Sequence, residues 1–181
     1  MKAFMKSCPC WRRRSVLLLL AAVLLSSQTS FAQSRALFED APKVEWKELE
    51  VKLPAYPAAP NLIPLYVSPL ATAQFFIDEK SLSLAEDGVV RYTLVVRAAG
   101  GAENVSYEGI RCETAERKLY AIGRGDGEWM RSRNDAWRRI ENNALNRQHA
   151  ALANDFFCPP GDVRPSLAQI VQSLRREGRL R

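Results

Sequence analysis

The clearest pattern in the chain is an alternation. In Val89–Arg97 (VVRYTLVVR), Val90, Tyr92, Leu94 and Val96 fall on one face, with Arg91, Thr93 and Arg97 on the other. A period of two is the strand period, and this mixture predicts a half-buried strand of an antiparallel sheet with one wet side. Glu86-Asp87-Gly88 before it and Gly100-Gly101 after it are turn chemistry. Residues 103–112 and 116–124 read as the next two strands, and Trp129-Met130 as the start of a short fourth. Gly109 within the second allows a bulge or a close neighbour. Upstream, Phe75–Ile77 and Ser81–Leu84 extend the sheet pattern back to about Gln74. Short turns between successive strands predict a meander.

Then the period changes. Leu145, His149, Leu152 and Phe156 recur at helical spacing within 142–156, and Leu167, Ile170, Val171 and Leu174 within 165–177. Phe157-Cys158-Pro159-Pro160-Gly161 stops the first helix. Strands followed by helices predict an α+β fold. It is an antiparallel meander of four to five strands packed against one or two C-terminal helices, which cover the Tyr92–Leu94–Val96 face.

Ahead of the sheet the pattern weakens. Residues 33–52 scatter Phe38, Val44, Trp46 and Leu49 among charges, and a short helix and a strand fit equally. Pro54, Pro57 and Pro60 recur every third residue, the period of polyproline II, which predicts a stiff connector. Pro64 and Pro69 confine the neighbouring Leu62–Tyr66 to a sheet edge or a wrapped segment. The expected organisation is a leader over 1–32, an extended Pro-rich segment over 33–73 and an α+β domain over 74–181.

The leader changes the reading of the charge. Residues 1–14 are basic, 16–25 (VLLLLAAVLL) are apolar, and Ser30-Phe31-Ala32 places small residues three and one before Gln33. That order predicts a secretory signal peptide cut between Ala32 and Gln33, too short in its apolar run to span a bilayer. The location expected is the periplasm, by the general secretory route, although Arg13-Arg14 also resembles a twin-arginine signal. Cleavage removes five of the 26 bases and none of the 20 acids, lowering the formal charge from +6 to +1. Nucleic acid is therefore a poor partner. No second long apolar run follows, so no transmembrane segment is expected after cleavage. Cys112 and Cys158 are the cysteines that remain. An oxidising compartment favours a structural disulfide between them, over a reactive pair or an intermolecular bond.

Candidate chemistry is sparse. His149 is the one histidine, and no nucleophile or orienting carboxylate is recognisable for it. The expectation is a semi-buried residue with a ring nitrogen bonded to backbone. Gly123-Arg124-Gly125-Asp126-Gly127 suggests a phosphate loop, but no helix follows, so a hairpin turn fits better. Asp126 and Glu128 supply too few oxygens for a calcium loop. In Trp129–Arg139, arginines interleave with tryptophans. Trp129, Arg131, Arg133 and Trp137 make a candidate patch for anionic glycans or lipid head groups, against a core edge with internally paired arginines. The C-terminal arginines 175, 176, 179 and 181 suit anionic lipid or a solvated end.

Taken together, Tyr107–Cys112 (YEGIRC), Tyr120–Gly123 (YAIG), Trp129, Trp137–Ile140 (WRRI) and Phe156–Pro159 (FFCP), with Asp87–Tyr92 (DGVVRY) before them, resemble the CNP1-like family of small exported bacterial proteins. The resemblance spans about Phe76 to Pro159. It implies a compact exported domain and brings no activity, cofactor or catalytic residues. The leading expectation is a non-enzymatic periplasmic binding or envelope-accessory protein whose partner is an envelope protein or a glycan. It assigns no catalytic residue, metal or cofactor. The alternatives are a small hydrolase using His149 and a glycan-binding module.

Overall fold

The computed structural model describes residues 45–143, 146–161 and 164–179. The leader, its cut and Leu145 of the first helical stripe lie outside them. Seven strands form one antiparallel sheet: β1 (Leu62–Leu65), β2 (Gln74–Leu84), β3 (Val89–Arg97), β4 (Glu103–Arg111), β5 (Glu116–Gly123), β6 (Trp129–Arg131) and β7 (Arg138–Arg139). They lie in chain order from β1 to β6, while β7 also pairs with β5. The fold is α+β, with a sheet larger than the four to five strands expected. The two additions are short: β1 holds Pro64, which suits an edge, and β7 is a dipeptide.

Two irregularities shape the sheet. Between β2 and β3, Asp78 pairs with Thr93 but Ser83 with Arg91, so β2 bulges outward. Asp78 Oδ2 accepts the Ser81 N–H at 3.0 Å, and Ser81 Oγ accepts the Thr93 N–H at 2.9 Å, which fixes the bulge. Between β4 and β5, Tyr107 pairs with Ala121 and Glu108 with Leu119, leaving Tyr120 as the extra residue.

The helices differ from their prediction in one respect. α2 spans Leu167–Arg179, close to the expected range. The first helix is short: α1 (Arg147–Ala151) passes into a π-helical turn, Leu152–Phe157. The wider turn places both Phe156 and Phe157 in the core beside Leu152 and Ala153. These helices, with β1 to β4, enclose Ile77, Val90, Tyr92, Leu94, Ile110, Ile170 and Leu174.

The expected wet side of β3 is dry. Arg91 is 5% exposed and Thr93 0%. Residues 46–56 form neither helix nor strand; they lie across this face as a strap. Trp46 Nε1 donates to the Asp87 carbonyl at 2.8 Å, and Trp129 Nε1 to the Pro54 carbonyl at 2.9 Å. Val51 and Leu53 pack on Tyr107, Tyr120 and Ala121. Alternation in β3 therefore separates an apolar face from a mixed one, Val89, Arg91, Thr93 and Val95, which is also buried.

Cys112, just after β4, is bonded to Cys158, just after the π turn, with a Cα–Cα distance of 5.4 Å across 46 residues of sequence. The bond ties helix to sheet, as expected. Closing a loop of that length stabilises by about 4 kcal/mol in the chain-entropy account.

Candidate functional site

Polar groups gather at three places, one on each face of the sheet and one along its β6–β7 edge. On the helix side, Glu108 sits opposite Tyr92 in the β3–β4 register. Its Oε2 accepts the Tyr92 hydroxyl at 3.1 Å and lies 2.7 Å from His149 Nε2; its Oε1 accepts the Ser106 hydroxyl at 2.7 Å. Burial alone would raise the Glu108 pKa. The His149 imidazole, its hydrogen bond and the Ser106 hydroxyl outweigh burial and hold it below the ordinary glutamate value. Burial and the neighbouring Glu108 carboxylate push the Tyr92 phenol well up, so it stays a donor.

This arrangement corrects the reading of His149. The ring is 4% exposed and bonded to a carboxylate, not to backbone. A hydrolytic triad needs the imidazole between hydroxyl and carboxylate, so that it can take the hydroxyl proton. Here the carboxylate lies between Ser106 and His149. The cluster fixes α1 to β4.

On the opposite face the centre is Glu48 of the strap. Its Oε1 accepts the Tyr120 hydroxyl at 2.7 Å, and its Oε2 accepts Lys118 Nζ at 2.9 Å and Trp137 Nε1 at 3.3 Å. Asp87, in the β2–β3 turn, takes Arg91 at 3.1 and 2.6 Å and the N–H groups of Leu49 and Val89. Burial would raise the Asp87 pKa, but Arg91 and the two backbone donors lower it overall. Arg111 lies 3.9 Å over the Trp46 ring. Gly109 makes room for this layer: a Cβ there would stand 2.6 Å from the Tyr120 hydroxyl. Gly123 does the same for Tyr56 of the strap, at 2.8 Å.

The four residues singled out in the sequence, Trp129, Arg131, Arg133 and Trp137, lie along or beside the β6–β7 edge. Register places Trp129 beside Gly123 and Arg131 beside Ala121, both on the strap face. Trp129 and Trp137 are half-buried, while Arg131 and Arg133 are exposed. The indoles hold the strap: Trp129 packs on Tyr56 and Tyr107, and Trp137 meets Trp46 edge-on at 5.8 Å. Neither Arg131 nor Arg133 pairs with a carboxylate among the described residues. Arg131 opens onto a polar cleft of about 270 Å³, which Lys118, Tyr120, Ser132 and Asp135 also line. Behind the edge, Ile122 and Met130 are register partners on the opposite face, 40% and 53% exposed.

Glu48, Asp87 and Glu108 were missed by the sequence reading. Each is one acid among many along the chain, and its role follows from a neighbour distant in sequence. Gly109 was the one usable signal, since a close neighbour was expected there.

Among the described residues, no group of three or more His, Cys, Asp or Glu side chains is placed to hold a metal. No described helix is long and apolar enough to cross a membrane.

No solved structure matches the chain. Cryptic neisserial protein 1 of Neisseria gonorrhoeae is 29% identical to it over 194 residues, covering 92% of this chain and 95% of that protein. The model of the CNP1-like family matches residues 41–175, which include the strap, the sheet and most of α2. The chain is a member of the CNP1-like family.

Proposed function

We propose that the chain is exported, loses residues 1–32 and acts in the periplasm as a non-catalytic module that binds an anionic partner of the cell envelope, an acidic glycan or protein surface. The observation that carries this reading is the β6–β7 edge. Several arginines elsewhere are neutralised locally, as in Arg91–Asp87, Arg97–Glu103 and Arg124–Asp126. Arg131 and Arg133 project from a rigid aromatic anchor with no such partner among the described residues. Guanidinium groups in that setting suit bidentate recognition of carboxylate or phosphate. The leader supports export, and the disulfide accords with an oxidising compartment.

The test has two arms. Fractionation should recover the protein in the periplasm with Gln33 as its first residue. Wild-type protein should be retained on purified cell-wall sacculi at moderate salt, and Arg131→Glu/Arg133→Glu should be washed off. Cytoplasmic recovery of the full chain, or equal retention of the double variant, contradicts the proposal. The polar cleft beside Arg131 favours a second reading, a small glycan ligand. In that case soluble sugar fragments would compete for retention and Asp135→Ala would weaken it.

A further inference from the structure

We propose a second binding site, for a single-chain anionic lipid, in the open groove between the β2 bulge and α2. It lies at the opposite end of the sheet from the β6–β7 edge. The groove measures about 1010 Å³, at the upper end of the range that holds small organic ligands, about 300–1,000 Å³.

Its walls follow from features already described. α2 turns Ile170 and Leu174 into the core, which leaves Leu167, Ala168 and Val171 along the groove. Leu167 is 38% exposed. The bulge carries Glu79 and Lys80 off the sheet to form the facing wall. Glu79 accepts Arg175 at 2.6 Å, so that charge is neutralised and the guanidinium is fixed. Lys80 and Arg176 remain, with no carboxylate partner among the described residues. The groove therefore has an apolar floor and a basic end.

This asymmetry selects the ligand. A peptide would need partners for its backbone N–H and C=O groups. A helix bonds its own backbone along its length, and Gln172 is the one neutral polar side chain on the floor. An acyl chain needs no such partners, and its head group meets Lys80 and Arg176. Charge and shape together favour one amphiphile over a planar bilayer, which cannot enter a groove.

Calorimetry on the purified protein with fatty acids below their aggregation concentration tests this. From octanoate to dodecanoate, affinity should rise by about two- to fourfold per methylene. Val171→Glu should weaken dodecanoate by about tenfold or more. Lys80→Glu/Arg176→Glu should weaken it by about fivefold per reversed charge, leaving dodecyl maltoside unaffected. Leu167→Glu, at a more exposed position, replaces Val171→Glu if near-UV dichroism shows the latter unfolded. Arg131→Glu/Arg133→Glu should bind dodecanoate normally, which separates this site from the glycan or protein edge. Four results overturn the proposal: no saturable dodecanoate binding, equal affinity in the floor variants, indifference to Lys80 and Arg176, or binding to phosphatidylglycerol vesicles without binding to the free fatty acid.

Discussion

On the helix side of the sheet, Glu108 is enclosed by Tyr92, Ser106 and His149 and surrounded by the main apolar cluster. On the strap side, Glu48 also gathers three donors, Lys118, Tyr120 and Trp137, but it arrives on a segment with no strand pairing of its own. One carboxylate is built into the sheet and locked by packing. The other closes a cover over the sheet, and its side chain keeps 19% exposure. Polar closure of this kind is weaker than apolar burial, because the exchanged groups hydrogen-bond water when released. The strap face should therefore open first, and the helix face should set global stability.

Glu108 offers the strongest way to break this comparison. Glu108→Ala leaves His149 and Tyr92 buried beside a vacancy, and should cost about 3–5 kcal/mol in urea unfolding. A loss under about 1 kcal/mol would mean the network is not the lock described. Next is the disulfide. Cys158→Ser should cost about 2–4 kcal/mol, by freeing the π turn from β4. It should leave strap-face tryptophan fluorescence in the folded state unchanged.

Glu48→Ala should cost less, about 1–2 kcal/mol, since water replaces part of what is lost. Its signature is local. Trp46 and Trp137 emission should shift to the red, and amides of 46–56 should exchange faster while those of α1 keep their protection. Equal acceleration in both would merge the two faces into one cooperative unit.

Acid sharpens the same contrast with a smaller effect. Asp87 and Glu108 both have folded-state pKa values below their ordinary ones, 3.8 and 4.5. Their stabilisation is therefore complete above those values and lost as pH falls through the folded pKa. Stability should be flat from about pH 7 to 5 with respect to these groups and decline below about pH 4. Asp87→Asn should shallow that decline. A steeper decline in Asp87→Asn would reverse the sign of the argument.

The parts legible in the sequence were those with local periodicity. β3 is predicted to the residue by its alternation, and the i, i+3, i+4, i+7 stripe predicts α2 at 165–177 against an observed Leu167–Arg179. Cys112 and Cys158 were legible by elimination and compartment. The strap was not, because Trp46, Glu48, Val51 and Tyr56 take their positions from Asp87, Tyr120 and Gly123, far along the chain. For the same reason β3 looked half wet, since Arg91 and Thr93 are polar yet covered. The π turn was hidden because its apolar residues also fit an ordinary helix. Of the candidate patch, Arg131 and Arg133 are exposed. The sequence did not reveal that Trp129 and Trp137 spend their indole N–H groups on the strap.

The central proposal is that the Glu108 and Glu48 networks are structural closures and that recognition occurs at the β6–β7 edge. Amide and arginine side-chain NMR during titration with soluble muropeptides, whose carboxylates stand in for the anionic envelope partner, tests it directly. The account predicts saturable shifts at 129–133 and at the neighbouring Ala121–Gly123, with His149 and Ser106 unmoved. Shifts centred on His149 and Glu108, or none at Arg131 and Arg133 while the protein still binds, would contradict it.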